Sequence, residues 1–264
     1  MKKIKSIELL KCGKCSHYLP HIFDNVEAEH RSFPANVLLI NHIDLGYILY
    51  DTGYSDEIFK NGWKTTLYNR LMKPQIEDED TIAFKLNERG ISAKNIDRII
   101  LSHTHPDHIG GLKFFGECTI YTTLEVILTS HSRKIKDLVF NNMLQGRKVW
   151  EAIRDYADIW LSEYFECFDI FGDNSIIGVV LPGHAEGQLG LYVPEWNVLF
   201  GADACWGMDL LDKTMKKLPR MIQNNWEAYE CTLNTLRQVH KEHPDLQMIF
   251  SHDKQEFSVF EEVK

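Results

Sequence analysis

The segment Ser102-His-Thr-His-Pro-Asp-His-Ile-Gly-Gly111 constrains this chain more than any other stretch. It packs three histidines and an aspartate into the six residues His103 to His108, directly after the apolar run Asp97 to Ser102. Residues two apart in an extended chain point the same way, so His103 and His105 can grip one ion through neutral imidazole nitrogens. Pro106 then turns the chain, which aims Asp107 and His108 at a second position. Gly110-Gly111 lets the backbone fold closely into the next element. Four ligands cannot complete two metal sites, so the fold must bring others to the same point from the ends of other apolar runs. Three residues stand at such ends: His184 after Ile177 to Gly183, Asp203 after Val198 to Ala202, and His252 after Met248 to Ser251.

Apolar runs of strand length recur at Val37 to Ile43, Tyr47 to Tyr50, Asp97 to Ser102, Cys118 to Tyr121, Ile176 to Leu181, Gly190 to Val193, Val198 to Phe200 and Met248 to Phe250. Helical patterns lie between them. One starts at Asp78 or Asp80, carries Ile82, Ala83 and Leu86 on one face, and stops at Gly90. Another opens at Asn224 or Asn225, runs through Tyr229, Leu233, Leu236 and Val239, and ends before Pro244. The pattern is mixed α/β, and residues 1–264 read as one domain. Residues 124–165 show helix-like spacing throughout and are expected to form a helical insertion after the first metal motif. A weak internal echo adds a two-part architecture. Tyr47-Ile-Leu-Tyr-Asp-Thr-Gly precedes Arg98-Ile-Ile-Leu-Ser-His, as Asn197-Val-Leu-Phe-Gly-Ala-Asp precedes Gln247-Met-Ile-Phe-Ser-His. Each half would then bring an aspartate and a Ser-His to a shared edge.

Composition narrows the function. A chain of 264 residues can bury a sizeable core, and 44% hydrophobic with 25% charged residues is ordinary globular usage. The net charge of −9 gives no basic footprint for a phosphate backbone, which argues against nucleic acid as a partner. No run approaches the roughly 18 apolar residues of a membrane span, and Lys5, Ser6 and Glu8 break up the N-terminal segment, so neither a membrane nor a signal peptide is expected. The six cysteines are read as reduced thiols in a cytoplasm.

With these motifs assembled, the chain resembles the metallo-β-lactamase fold hydrolases. The matching residues run from Asp51-Thr-Gly through His103-Thr-His-Pro-Asp-His108, Pro182-Gly-His-Ala-Glu-Gly187 and Asp203 to Ser251-His252. The resemblance implies a four-layer αβ/βα sandwich with a dinuclear centre at the edge of two sheets. It implies His103, His105 and His184 on the first metal, Asp107, His108 and His252 on the second, and Asp203 bridging both. Asp51 matches an aspartate that is structural in the family and is not counted as a ligand. The family's true β-lactamases carry a cysteine, or no bridging acid, where Asp203 stands, and its diiron members carry an acid where His105 stands. Antibiotic hydrolysis and oxygen reduction therefore lose support. The pattern is most similar to the N-acyl homoserine lactonases, with one departure: they have a tyrosine three residues after the bridging aspartate, where this chain has Trp206. An indole N–H donates one hydrogen bond but cannot exchange a proton as a phenol does.

The activity so implied is hydrolysis of a lactone or related acyl ester by a hydroxide bridging two divalent ions, with no serine or cysteine nucleophile. Zinc suits the His/Asp donors, and iron or manganese fits them too. Asp203 holds the ions together, and Asp107 is the candidate carrier of a proton to the leaving group. The partner is a small acyl substrate, and nothing in the sequence sets an oligomeric state. Two other functions compete. A glyoxalase II-type thioesterase needs a cationic pocket for which no Arg/Lys cluster is evident, and a non-catalytic binding protein would have little reason to keep the whole ligand set. Cys12-Gly-Lys-Cys15, with His17 and His21 following, lacks the second half of a zinc ribbon and reads as an N-terminal turn lining the pocket. Trp63, Phe140, Met143, Trp150, Trp160, Trp206 and Met208 are candidates for an acyl pocket, although aromatics at helical spacing are more often core. His131, His240 and His243 are expected to face solvent.

Overall fold

The computed structural model describes residues 2–254 apart from 61, 133, 135, 136, 141 and 145–147, together with the backbone of 260–261. In chain order the strands are β1 (Ile4–Tyr18), β2 (Phe23–Asp24), β3 (His30–His42), β4 (Gly46–Tyr50), β5 (Ile96–Ile100), β6 (Cys118–Thr122), β7 (Lys148–Ala152), β8 (Cys167–Asp169), β9 (Ile177–Val180), β10 (Leu189–Val193), β11 (Val198–Phe200), β12 (Thr214–Met215), β13 (Gln247–Ile249) and β14 (Phe260–Glu261). The helices are α1 (Trp63–Met72), α2 (Ile82–Asn87), α3 (Pro106–Ile109), α4 (Leu124–Thr129), α5 (Lys217–Arg220) and α6 (Trp226–Glu242). One sheet has the order β14-β1-β3-β4-β5-β6-β7 and the other β13-β11-β10-β9-β8, with β12 and β2 forming a small ribbon.

Alternation along the strands builds the layers. Inward residues of the large sheet, among them Ile7, Leu38, Ile40, Ile48 and Ile100, pack against Leu189, Leu191, Val198, Phe200 and Ile249 of the small sheet. The opposite face of the large sheet (Val37, Leu39, Leu49, Ile99, Ile120) is covered by Ile82 and Leu86 of α2, Tyr68 of α1 and Leu112. The opposite face of the small sheet (Val179, Leu199, Met248) is covered by Tyr229, Leu233, Leu236 and Val239 of α6. Each sheet is thus buried on one face by the other sheet and on the other face by helices, which is the αβ/βα sandwich. Asn225 caps α6 by accepting the Ala228 N–H at 3.1 Å. Among the described residues, no helix is long and apolar enough to cross a membrane.

The structure departs from the sequence reading in two places. Within 124–165, α4 is helical as expected, but Lys148–Ala152 is an edge strand, β7, parallel to β6. The open edge of β6 outweighs the local helical spacing, because pairing there satisfies backbone groups that a helix would leave at an unpaired edge. The expected helix at Lys134 to Leu144 lies partly outside the described residues. The second departure is β1, whose alternation changes phase at a bulge between Lys11 and Lys14, where Gly13 has φ +86°. Cys12 and Cys15 therefore lie in this strand and not in a turn. They serve different cores, Cys12 beneath the helices of the large sheet and Cys15 beside the small one, so they are not a chelating pair.

Gly183 carries the loop after β9 onto the start of α6. Its φ is +125°, and a Cβ there would lie 2.2 Å from the Tyr229 backbone nitrogen. Gly183→Ala is expected to destabilise the fold by about 2 kcal/mol or more, through backbone strain and a clash with atoms that cannot yield. Urea unfolding of the variant beside wild type measures it.

Candidate metal centre

The centre is assembled at the C-terminal ends of two parallel strand pairs, β4 with β5 and β11 with β13. Asp51 follows β4 in the left-handed region, with φ 62°. Its N–H donates to the Ile100 carbonyl at 2.9 Å. Its Oδ1 accepts the Ser102 N–H and its Oδ2 the Ser102 hydroxyl, each at 2.8 Å. The same Oδ2 accepts from His108 Nδ1 at 2.7 Å. Thr52 donates both its N–H and its hydroxyl to the His108 carbonyl, at 2.8 and 2.7 Å. One buried carboxylate and its neighbour thus fix both ends of the histidine motif.

The outer nitrogens of the other rings are held in a similar way. His103 Nδ1 donates to the Ser102 hydroxyl oxygen at 2.9 Å, that hydroxyl having given its proton to Asp51. His184 Nδ1 donates to Gln223 Oε1 at 2.8 Å, and His252 Nδ1 to the Pro34 carbonyl at 2.7 Å. In the neutral ring a proton on Nδ1 leaves a lone pair on Nε2, so each of the four can present an acceptor inward. His105 is turned the other way, with Nδ1 2.9 Å from His184 Nε2. Asp203 lies between the groups. Its Oδ1 is 3.4 Å from His108 Nε2, and its Oδ2 is 3.3 Å from His184 Nε2 and 3.2 Å from His252 Nε2. Asp107 Oδ2 is 3.6 Å from His108 Nε2 and 3.7 Å from His252 Nε2.

Donor atoms of His103, His105 and His184 form one compact group, and those of Asp107, His108, Asp203 and His252 another, each within 4.8 Å. All are buried, and His103 Nε2, His108 Nε2 and Asp203 Oδ1 have no hydrogen-bond partner. Buried polar atoms without partners are costly, and a cation is the species that satisfies several inward lone pairs at once. Burial, followed by repulsion from neighbouring imidazoles, pushes His103 and His105 well below the usual histidine range; burial likewise lowers His184. These three rings are neutral, as coordination requires. Burial opposes charge on His108, His252 and Asp203 alike, but Asp107 and Asp203 hold both imidazoles above the usual histidine range and those imidazoles hold Asp203 well below its ordinary value, a charge balance that a cation would take over on binding. The residues fit divalent metal.

All seven residues expected from the sequence come together here, with Asp51 behind them. Trp206 forms part of the wall, edge-on to Phe33 and His252, with ring centroids 5.9 and 6.5 Å away. Of the expected acyl-pocket residues, Trp63, Phe140 and Trp206 line a groove beside the centre. Met143 and Trp150 pack in the core of the large sheet, and Trp160 and Met208 in that of the small one. His131 and His240 are exposed, whereas His243 stacks near Trp160 with ring centroids 4.0 Å apart. Sequence reasoning missed Gln223, Tyr54 and Tyr68. No local pattern marks them, because they reach the site through tertiary packing.

A buried cluster of inward-facing imidazole and carboxylate donors at a sandwich edge defines a metal-dependent hydrolase. The chain belongs to the metallo-beta-lactamase superfamily, whose family model matches residues 30–239. It is 25% identical over 240 residues to the N-acyl homoserine lactonase AiiB of Agrobacterium fabrum, covering 85% of this chain and 81% of that protein. It is also 25% identical over 233 residues to the probable metallo-hydrolase Rv2300c of Mycobacterium tuberculosis, covering 83% and 74%. Its fold is shared with a B. thuringiensis AiiA variant holding N-decanoyl-L-homoserine, at a TM-score of 0.73 and 18% identity, over 96% of this chain and 95% of the other.

Asp51→Ala removes the acceptor that orients His108 and Ser102 without removing a donor from either group. It is expected to weaken metal affinity about 10- to 100-fold, read by competition with a chromophoric chelator. His131→Ala, at an exposed position, should leave the affinity unchanged.

Proposed function

We propose that the chain holds two divalent cations and hydrolyses a lactone or related acyl ester. The observation that carries this reading is Asp203, whose Oδ2 lies between the two ligand groups, 3.3 Å from His184 Nε2 and 3.2 Å from His252 Nε2, while its Oδ1 faces His108. In this arrangement His103, His105 and His184 hold one cation, Asp107, His108 and His252 the other, and Asp203 both. Zinc suits these donors best, with iron and manganese compatible. When bound, such ions supply a water ionised near neutral pH and a Lewis acid for the acyl carbonyl.

The chain's own residues do the rest. Asp107 lines the small cavity over the cluster, where its carboxylate can carry a proton to the departing oxygen. That cavity, of about 50 Å³, shares His17, Tyr68, Met72, Leu138, Trp206 and Ile222 with a groove of about 460 Å³. The groove is walled by Leu67, Leu71, Phe140, Leu218 and Met221 among others, and Lys64 is the one Lys or Arg among its described residues. An apolar acyl part fits this wall, and a glutathione-like anion does not. Trp206 narrows the choice, because its large ring takes volume beside the cluster and its buried Nε1 has no hydrogen-bond partner. A flat or apolar acyl group is favoured over a short acyl homoserine lactone. The lactonase relatives support the reaction class, and the buried free thiols fit a reducing cytoplasm.

Elemental analysis of protein purified without chelator should give close to two transition-metal ions per chain. One ion or none, with no second on titration, would sink the dinuclear reading. Asp203→Asn is expected to lose metal together with most turnover on a panel of lactones, aryl esters, thioesters and phosphodiesters. Trp206→Tyr should raise acyl homoserine lactone turnover relative to aryl ester turnover by about tenfold or more, as a positioned oxyanion donor can. An unchanged ratio would show that position 206 does not set specificity.

A further inference from the structure

Two tyrosines outside the ligand set meet at the wall of the small cavity. Tyr68, on α1, lines both that cavity and the apolar groove, whereas Tyr54, in the loop after Asp51-Thr-Gly, lines neither. Both are buried, Tyr54 at 1% exposure and Tyr68 at 5%. Their hydroxyl oxygens are 2.8 Å apart, and neither hydroxyl has another partner among the described residues.

The direction of this hydrogen bond follows from what each proton can reach. Tyr54 is enclosed, its ring backed by Gly13 and its N–H held by the Cys12 carbonyl at 3.0 Å. If Tyr68 donated to Tyr54, the Tyr54 proton would be buried with no acceptor, at a cost of about 1–3 kcal/mol. If Tyr54 donates to Tyr68, every group in the enclosed region is satisfied, and the unpaired proton belongs to the phenol at the cavity wall. No ligand residue takes a hydrogen bond from that phenol among the described residues, although Asp107 lines the same cavity.

Resting on the acyl-substrate reading of the cavity, we propose that Tyr68, oriented by Tyr54, is a substrate-facing hydrogen-bond donor to the oxygen that gains negative charge as the acyl bond opens. It supplies from α1 the phenol that position 206 does not. Tyr54 is a positioning residue and acts through Tyr68 alone. Burial, with the Asp107 and Cys15 side chains adding to it, keeps the Tyr68 phenol well above its ordinary range, so it stays protonated and able to donate.

The test uses the full-length, metal-loaded protein and the variants Tyr68→Phe, Tyr54→Phe and the double. Metal content and melting temperature are measured first and should match wild type. Affinity for butylboronic acid, whose boron becomes a tetrahedral mimic of the hydrated carbonyl on adding hydroxide, is then read by calorimetry. Tyr68→Phe should weaken it about tenfold and lower kcat about 10- to 100-fold on the best acyl substrate, with KM within about twofold. Tyr54→Phe keeps the donor but loses its orientation and should fall in between. The double variant should be no worse than Tyr68→Phe. Unchanged boronate affinity in Tyr68→Phe, no boronate binding by wild type, or losses that multiply in the double variant would each overturn the proposal. If boronate affinity depends on Tyr68 but wild type hydrolyses no lactone or ester, the donor role stands and the acyl-substrate reading falls.

Discussion

The structure of the centre depends on one carboxylate that is not among its donors. Asp51 accepts from the Ser102 backbone, the Ser102 hydroxyl and His108 Nδ1, so one buried group sets the exit of β5, the tautomer of His108 and, through Ser102, that of His103. Its left-handed backbone is what turns the carboxylate back toward the neighbouring strand. Aspartate tolerates that conformation better than most residues, and a buried carboxylate is acceptable here because every lone-pair direction it uses meets a donor.

The remaining histidines are held by unlike partners. A glutamine side chain holds His184 and a proline carbonyl on β3 holds His252. The common requirement is a proton acceptor on the outer nitrogen, and any residue that supplies one at the right place will serve. This explains what the sequence revealed. The donors announce themselves as a set, because one histidine or aspartate at the end of an apolar run is ordinary but three of them beside the His103 to His108 cluster are not. Gln223 and Pro34 look like any other glutamine and proline, and their part is visible only once β3 and the segment before α6 are packed against the site.

The same distinction holds for the fold. Runs buried on both faces, such as Ile99-Ile100-Leu101 and Val198-Leu-Phe200, read directly as strands because no solvent-facing residue interrupts them. Strand β1 did not, since Lys5, Glu8 and Lys11 punctuate it and the bulge at Gly13 absorbs one extra residue, which breaks the period of two. Edge strand β7 is set by the vacancy beside β6 and not by its own spacing, so periodicity within 148–152 could not decide it. The internal echo has a spatial counterpart: in each half the aspartate strand lies parallel to the histidine strand, β4 beside β5 and β11 beside β13. The halves are not used alike, for Asp203 faces the cluster and Asp51 stands behind it.

Because the donors come from the ends of both sheets, a cation bound among them is a fastener across the seam of the sandwich. The large sheet contributes His103, His105, Asp107 and His108, and the small sheet His184, Asp203 and His252, while the inter-sheet layer itself is held by apolar contact and by a few buried hydrogen bonds, such as that from the Tyr50 hydroxyl to the Leu189 carbonyl at 2.6 Å. Occupancy would add coordination bonds to those links, and resistance to unfolding would rise with the logarithm of free metal above its dissociation constant. Chelation should loosen the two sheets relative to each other before either one melts.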